Sequence, residues 1–172
     1  TIHKMEPDQI DSGDIYEKEF YVLDSDTYIS KIYEWMSSRV PNMFLSVVEK
    51  IDANNISPIK QSSLKMNSLR CYPRKPEDSI IEWDNDRDNI YALIRASSKP
   101  FSGAYTFLNG EKKIIIWEAE LVKEYEDFIA IPGQVMFLDG GFPIVACKDK
   151  PLKLKKITFS DNSTCAINAF NS

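Results

Sequence analysis

The residues of this chain best suited to chemistry lie near its start, in Ile10-Asp11-Ser12-Gly13-Asp14-Ile15, downstream of the single histidine, His3. A carboxylate held on a loop can accept a proton or orient a histidine that does. Here Ile10 and Ile15 are expected to plug into the core on either side and leave the Asp11 carboxylate aimed at a cleft. Gly13 then permits a positive φ or a close backbone approach. The same residues also suit a plain polar turn. His3 invites a dyad with Asp11, but a strand histidine is more often a packed, hydrogen-bonded residue.

Two further charged patterns invite chemistry. Asp84-Asn85-Asp86-Arg87-Asp88 places oxygen ligands at alternate positions, as a calcium loop does. The sixth position is Asn89 where the sharp turn needs Gly, and the twelfth is Arg95 where a bidentate Glu is required, so no metal site is expected. Helix capping and the helix dipole account for these carboxylates. Lys148, Lys150, Lys153, Lys155 and Lys156 form a basic stripe. Without interleaved aromatic residues it reads as the solvated face of a strand before it reads as a nucleic-acid patch.

The elements that must position these groups follow from periodicity. Thr1-Ile2-His3-Lys4-Met5 is a short alternating strand, Pro7 and Gly13 break the loop after it, and a second strand starts at Ile15. Asp24 or Ser25 can cap a helix with Tyr28, Ile29, Ile32, Tyr33 and Met36 on one face. Pro41 suits the first turn of a second helix, with Phe44, Val47, Val48 and Ile51 on its stripe. Both helices read as core-packed covering layers of an α/β sheet. From Ala53 to about Ile80 the pattern dissolves into Asn, Ser, Lys and Pro, including Pro58, Pro73 and Pro76. A connection this long is either disordered or draped over a site. Asp84 or Asp86 then caps a helix over 87–96 with Ile90, Leu93 and Ile94 inward. Strands are expected at 104–108, 112–122, 134–138, 144–148 and 152–159, with turns at Asn109-Gly110 and Asp139-Gly140-Gly141. Several short strands with regular turns suggest a small barrel.

Residues 1–15 resemble the closing strand and active-site loop of the folate-dependent formyltransferases. Downstream, Arg74-Lys75-Pro76-Glu77-Asp78-Ser79-Ile80-Ile81-Glu82-Trp83, then Ile90-Tyr91-Ala92-Leu93-Ile94-Arg95-Ala96 and Lys99-Pro100-Phe101-Ser102-Gly103-Ala104-Tyr105-Thr106, resemble the junction between the catalytic and C-terminal domains of the methionyl-tRNA and sugar N-formyltransferases. Together these stretches span about 1–50 and 70–120, in the family's order. The resemblance implies an α/β region followed by a small, mostly β barrel. Residues 1–54 would be the C-terminal part of a Rossmann-like formyltransferase domain, 55–80 a linker, and 81–172 an OB-like C-terminal domain. The chain would thus begin in mid-domain.

The implied activity is transfer of a formyl group from N10-formyltetrahydrofolate, the donor substrate, to a primary amine. Asp11 takes the place of the family's catalytic Asp, which positions a histidine and can accept a proton. The Asn-x-His pair and the HPSLLP-like segment that complete such a site are not among these 172 residues. Arg74-Lys75-Pro76-Glu77-Asp78-Ser79 is more similar to the sugar N-formyltransferases and the aminoarabinose formyltransferase than to the tRNA enzymes. The expected acceptor is therefore a small-molecule amine on a sugar nucleotide, its pyrophosphate held by Arg74 and Lys75. Methionyl-tRNA is the alternative acceptor. A non-catalytic relative, whose barrel serves interaction or homodimerisation, is a third reading.

Composition sets the outer bounds. With 43% hydrophobic and 27% charged residues in 172 positions, the chain holds one full domain or two small ones. No run reaches membrane-spanning length, Ile114-Ile115-Ile116-Trp117 being strand-sized, and the start has neither a signal-peptide core nor an initiator Met. Cys71, Cys147 and Cys165 make no CxxC pair and leave an odd thiol, which favours a reducing, cytoplasmic setting. The net charge is −5, and from residue 80 onward 11 Lys and Arg face 13 Asp and Glu. A broad phosphate-binding face needs the opposite balance.

Overall fold

The computed structural model describes residues 1–8, 10–61 and 71–159. They fall into two compact units, one formed by Thr1–Ser25 with Lys31–Pro73, the other by Asp26–Ser30 with the described residues from Arg74 onward. Cys165 and linker positions 62–70 lie outside the described residues.

In the first unit, β1 (Ile2–His3) pairs antiparallel with β2 (Ile15–Glu17). The expected linker contributes to this ribbon, because the Ile15 and Ile59 backbones exchange hydrogen bonds of 2.9 and 2.8 Å. The two expected helices are one, α1 (Ile29–Asp52), with Pro41 inside it. Proline removes a single amide donor and crowds the preceding turn. Side-chain donors flank that point: Ser38 Oγ donates to the Trp35 carbonyl at 2.9 Å and Asn42 Nδ2 to the Ser38 carbonyl at 3.0 Å.

Ser46 Oγ and Lys50 Nζ donate to Glu17 Oε2 at 3.1 and 2.7 Å, tying α1 to β2. The Lys50 bond is the main cause that holds the Glu17 carboxyl below its ordinary range. Arg39 adds a two-pronged bond to Glu19. The apolar stripe of α1 is not core-packed throughout. Met43 and Val47 are buried, but Tyr33, Met36, Phe44, Val48 and Ile51 are exposed. The described residues of this unit supply only a two-stranded ribbon, which cannot cover a helix face of that length.

The second unit is a five-stranded antiparallel sheet of order β3-β4-β7-β6-β5, namely β3 (Ala104–Leu108), β4 (Lys112–Leu121), β5 (Val135–Asp139), β6 (Phe142–Ala146) and β7 (Pro151–Phe159). Among the described residues no pairing joins β3 to β5, so the ladder is an open sheet. Asn109 and Gly110 both take positive φ, 52° and 76°, and the Glu111 N–H closes the β3–β4 turn on the Leu108 carbonyl at 3.1 Å. Asn-Gly suits such a turn because both residues tolerate left-handed backbone. The helix α2 (Arg87–Ser97) buries Ile90, Tyr91 and Ile94 in a core that includes Ile116, Leu152 and Leu154.

Segment Asp26–Ser30 is strapped to this unit. Tyr28 Oη donates to the Ala119 carbonyl at 3.3 Å and accepts from its N–H at 3.1 Å, Tyr91 Oη donates to Asp26 at 3.0 Å, and Arg95 donates to the Thr27 carbonyl at 2.8 Å. Burial, opposed by the Ala119 bond, raises the Tyr28 phenol above its ordinary value.

The cap of α2 differs from the sequence expectation. Asp86 stands at the N-cap position, yet its side chain makes no capping bond. Lys148 Nζ lies 3.4 Å from its carboxylate. Asp149 caps the helix instead, from the turn between β6 and β7, accepting from the Arg87 N–H at 2.7 Å. Burial alone would raise the Asp149 carboxyl, but the Arg87 N–H bond, its own backbone N–H and the charge of Lys150 hold it below the ordinary 3.8. A carboxyl depressed on folding stabilises above its unfolded pKa and loses that contribution as pH falls through the folded one. Asp149→Ala is therefore expected to cost about 1 kcal/mol at neutral pH. In urea unfolding the gap to wild type should close below pH 3.8. A gap independent of pH would contradict the capping role.

Candidate functional site

The strand pair β1 and β2 sets the ends of the Asp11 loop. Between them the Lys4 N–H donates to the Asp14 carbonyl at 2.9 Å. Gly13 sits against that crossing, for a Cβ on it would stand 1.8 Å from the Lys4 carbonyl oxygen. Of the two reasons for a glycine here, close backbone approach is the operative one. The positive φ falls on Asp11 itself, at 53°, and on Asp8, at 59°.

Ile15 is 6% exposed and anchors the loop, whereas Ile10 is 82% exposed and does not enter the core. The turn at Asp11 leaves Ile10 beside a cleft of about 510 Å³ that His3, Met5, Glu6, Asp8 and Asp11 also line. Among the described residues Ser12 Oγ is buried without a hydrogen-bond partner, a state polar groups rarely keep. Nothing in the sequence pattern marks Ser12 except its place beside Asp11.

His3 and Asp11 stand together. His3 Nδ1 faces the Lys4 carbonyl at 2.9 Å, and Nε2 lies 3.5 Å from Asp11 Oδ1. A carbonyl only accepts, so Nδ1 is the donor, and Nε2 can donate to the carboxylate only when the ring is protonated. His3 is thus hydrogen-bonded as a strand histidine should be, and it also faces Asp11. Together they can hold a proton or pass one on at the cleft.

The other sequence-derived candidates, Arg74 and Lys75, belong to the second unit. They line a cleft of about 260 Å³ with Phe101, Gly103, Tyr105 and Lys113. Arg74 donates from Nη1 to the Ala96 carbonyl at 3.3 Å and from Nη2 to Ser79 Oγ and Ser97 Oγ. It therefore satisfies the C-terminal end of α2, where cations are favoured. The Lys75 N–H donates to Asp78 Oδ2 at 2.7 Å and starts the 3₁₀ turn Pro76–Ser79. Tyr105 and Lys113 were not singled out by sequence; their partnership appears only once β3 and β4 pair.

The basic stripe is neutralised. Lys148, Lys150, Lys153, Lys155 and Lys156 lie 3.4, 3.8, 2.7, 3.2 and 3.6 Å from Asp86, Asp149, Asp139, Glu120 and Glu118. Cys147 is buried and its thiol pushed up to about 12, chiefly by burial, so it is no nucleophile. Among the described residues no three His, Cys, Asp or Glu side chains are grouped to hold a metal, and no helix is long and apolar enough to cross a membrane.

Residues 74–172 match the family model for the formyl transferase C-terminal domain. The bifunctional polymyxin resistance protein ArnA of Wigglesworthia glossinidia brevipalpis is 28% identical over 164 residues, which are 94% of this chain and 23% of that protein. The chain thus spans about a quarter of this relative's length. Among solved structures, HypX from Aquifex aeolicus in complex with tetrahydrofolic acid has a TM-score of 0.63 at 16% identity, over 89% of this chain and 26% of that one. A multiply alanine-substituted variant of the same HypX has a TM-score of 0.61 at 17% identity, over 87% of this chain and 26% of that one. At such identity the likeness is one of fold.

Proposed function

We propose, from the premise that this chain belongs to the formyl transferase C-terminal domain family, that it is part of an enzyme that moves a formyl group from N10-formyltetrahydrofolate to the amine of a nucleotide-linked sugar. The observation that carries the reading is Asp11, presented in left-handed backbone at a cleft with His3 at 3.5 Å. When the amine attacks the formyl carbon its nitrogen must lose a proton, and Asp11 supplies a carboxylate to receive or relay it. Hydrogen-bond donors must also meet the oxygen on which charge develops. The reading assigns that task to an Asn-x-His pair outside these 172 residues.

The proposed division is a catalytic part at 1–54, a linker at 55–80 and an OB-like C-terminal domain at 81–172. A cytoplasmic location and a homodimer belong to the same reading. The sugar-nucleotide acceptor is preferred to tRNA because the lysines of the 148–156 stripe are already ion-paired. Those five lysines are then less able to displace counterions along an RNA backbone.

The test is competition for one formyl donor between a 4-amino or 3-amino deoxysugar nucleotide and charged initiator tRNA, using the whole protein. Transfer to the amino sugar is expected to dominate. Efficient transfer to tRNA with none to any amino-sugar nucleotide would replace this acceptor by the alternative.

A further inference from the structure

Two groups of cations in the second unit differ in their partners. The stripe lysines are each within 3.8 Å of a carboxylate. Arg74, Lys75 and Lys113 instead converge on the cleft of about 260 Å³, and among the described residues no acidic side chain contributes to its lining. Arg74 is engaged at the C-terminal end of α2, but among the described residues no ion pair joins the Lys75 or Lys113 side chain to a carboxylate, so the concavity presents positive potential to an anion although the chain carries a net charge of −5.

The cleft is also aromatic. Lys113 Nζ stands 3.8 Å from the Tyr105 ring centroid, with Phe107 edge-on to that ring at 5.9 Å, and Phe101 forms another part of the wall. The walls are held in place: the Phe101 N–H donates to the Ser98 carbonyl at 3.0 Å, the Gly103 N–H to the Ser97 carbonyl at 2.8 Å, and Arg74 is fixed on Ser79 and Ser97. Cations beside flat rings select a ligand that is both phosphorylated and planar.

We infer that this cleft binds one nucleoside diphosphate, its phosphates met by Lys75 and Lys113 with Arg74 behind them, and its base laid against Tyr105 or Phe101. A volume of about 260 Å³ is slightly below the usual range for small-molecule sites and leaves no room for successive nucleotides of a strand. The inference deepens the acceptor reading above and rests on it for the choice of ligand. Its new content is the assignment of Lys113 and Tyr105, which the sequence left without a role.

Calorimetric titration of the whole protein with UDP tests it, alongside uridine and inorganic pyrophosphate. UDP is expected to bind at least about tenfold more tightly than either half, and Lys113→Gln or Lys75→Gln to weaken it about tenfold, the worth of one charge-assisted hydrogen bond. Lys155→Gln, the same charge change at a paired lysine, should leave UDP binding unchanged. Tyr105→Leu should weaken UDP and leave pyrophosphate unaffected; if that variant misfolds, the exposed Lys75→Gln decides the question. UDP binding indifferent to Lys75 and Lys113, with formyl transfer intact, would overturn this inference alone. Absence of formyl transfer to any acceptor, with UDP binding still dependent on the two lysines, would overturn the activity reading alone. A single-stranded oligonucleotide that outcompetes UDP with a steep salt dependence would overturn the single-nucleotide assignment.

Discussion

Asp11→Asn is expected to lower kcat/KM for formyl transfer by about 10²- to 10⁴-fold, the range for loss of a positioned proton acceptor. The substitution is chosen for what it preserves. Asp11 has φ 53°, a conformation that asparagine tolerates about as well as aspartate and that most residues do not. Its side chain is 83% exposed, so no core contact is lost and the melting temperature should stay at the wild-type value. What disappears is the charge facing His3 Nε2 at 3.5 Å and the capacity to take up a proton. Steady-state kinetics with a saturating formyl donor, read beside thermal melting, separates these effects. Turnover close to that of wild type would remove Asp11 from the mechanism, while a fall matched by loss of fold would show a structural role.

The β half of this chain was legible because its signals are local. Alternating apolar residues and the Asn109-Gly110 turn place all five strands of the second unit within a few residues of where they stand, since both features act through immediate neighbours. Their order was not readable. Bringing β7 between β4 and β6 depends on pairings distant in sequence.

Misreadings arose where a distant group decided the outcome. Pro41 looks like the first turn of a new helix, yet a proline inside a helix removes only one donor, and the helix runs through it. The α2 cap comes from Asp149, 62 positions away from Arg87, where nearby Asp84 and Asp86 looked sufficient. Beyond the phosphate contact expected of it, the Arg74 guanidinium serves the α2 C-terminus, a partner distant in sequence. The Asp11 loop was legible as a composition, Asp and Gly between two isoleucines. Which residue would carry the left-handed backbone was not, because the local pattern does not show the Lys4 backbone lying against Gly13.

That contact makes Gly13 the most sensitive position of the loop. A Cβ at residue 13 would lie 1.8 Å from the Lys4 carbonyl oxygen and 2.7 Å from its carbon, both backbone atoms that cannot swing aside. Gly13→Ala must therefore separate the two strands, breaking the 2.9 Å bond from the Lys4 N–H to Asp14 and carrying Asp11 away from His3. The expected loss is about 3 kcal/mol, in the range of severe backbone strain. Activity should fall as far as in Asp11→Asn, because a reacting group displaced by about 1 Å already costs on the order of 10²-fold. Gly110→Ala supplies the contrast. Gly110 has φ +76° and nothing within 4 Å of its would-be Cβ, so it should lose only the left-handed preference, about 1 kcal/mol, with activity untouched. Urea unfolding and kinetics on both variants decide the matter. A Gly13→Ala protein as stable and active as wild type would mean that the loop does not rest on the Lys4 backbone, and with it would go the argument that this contact aims Asp11.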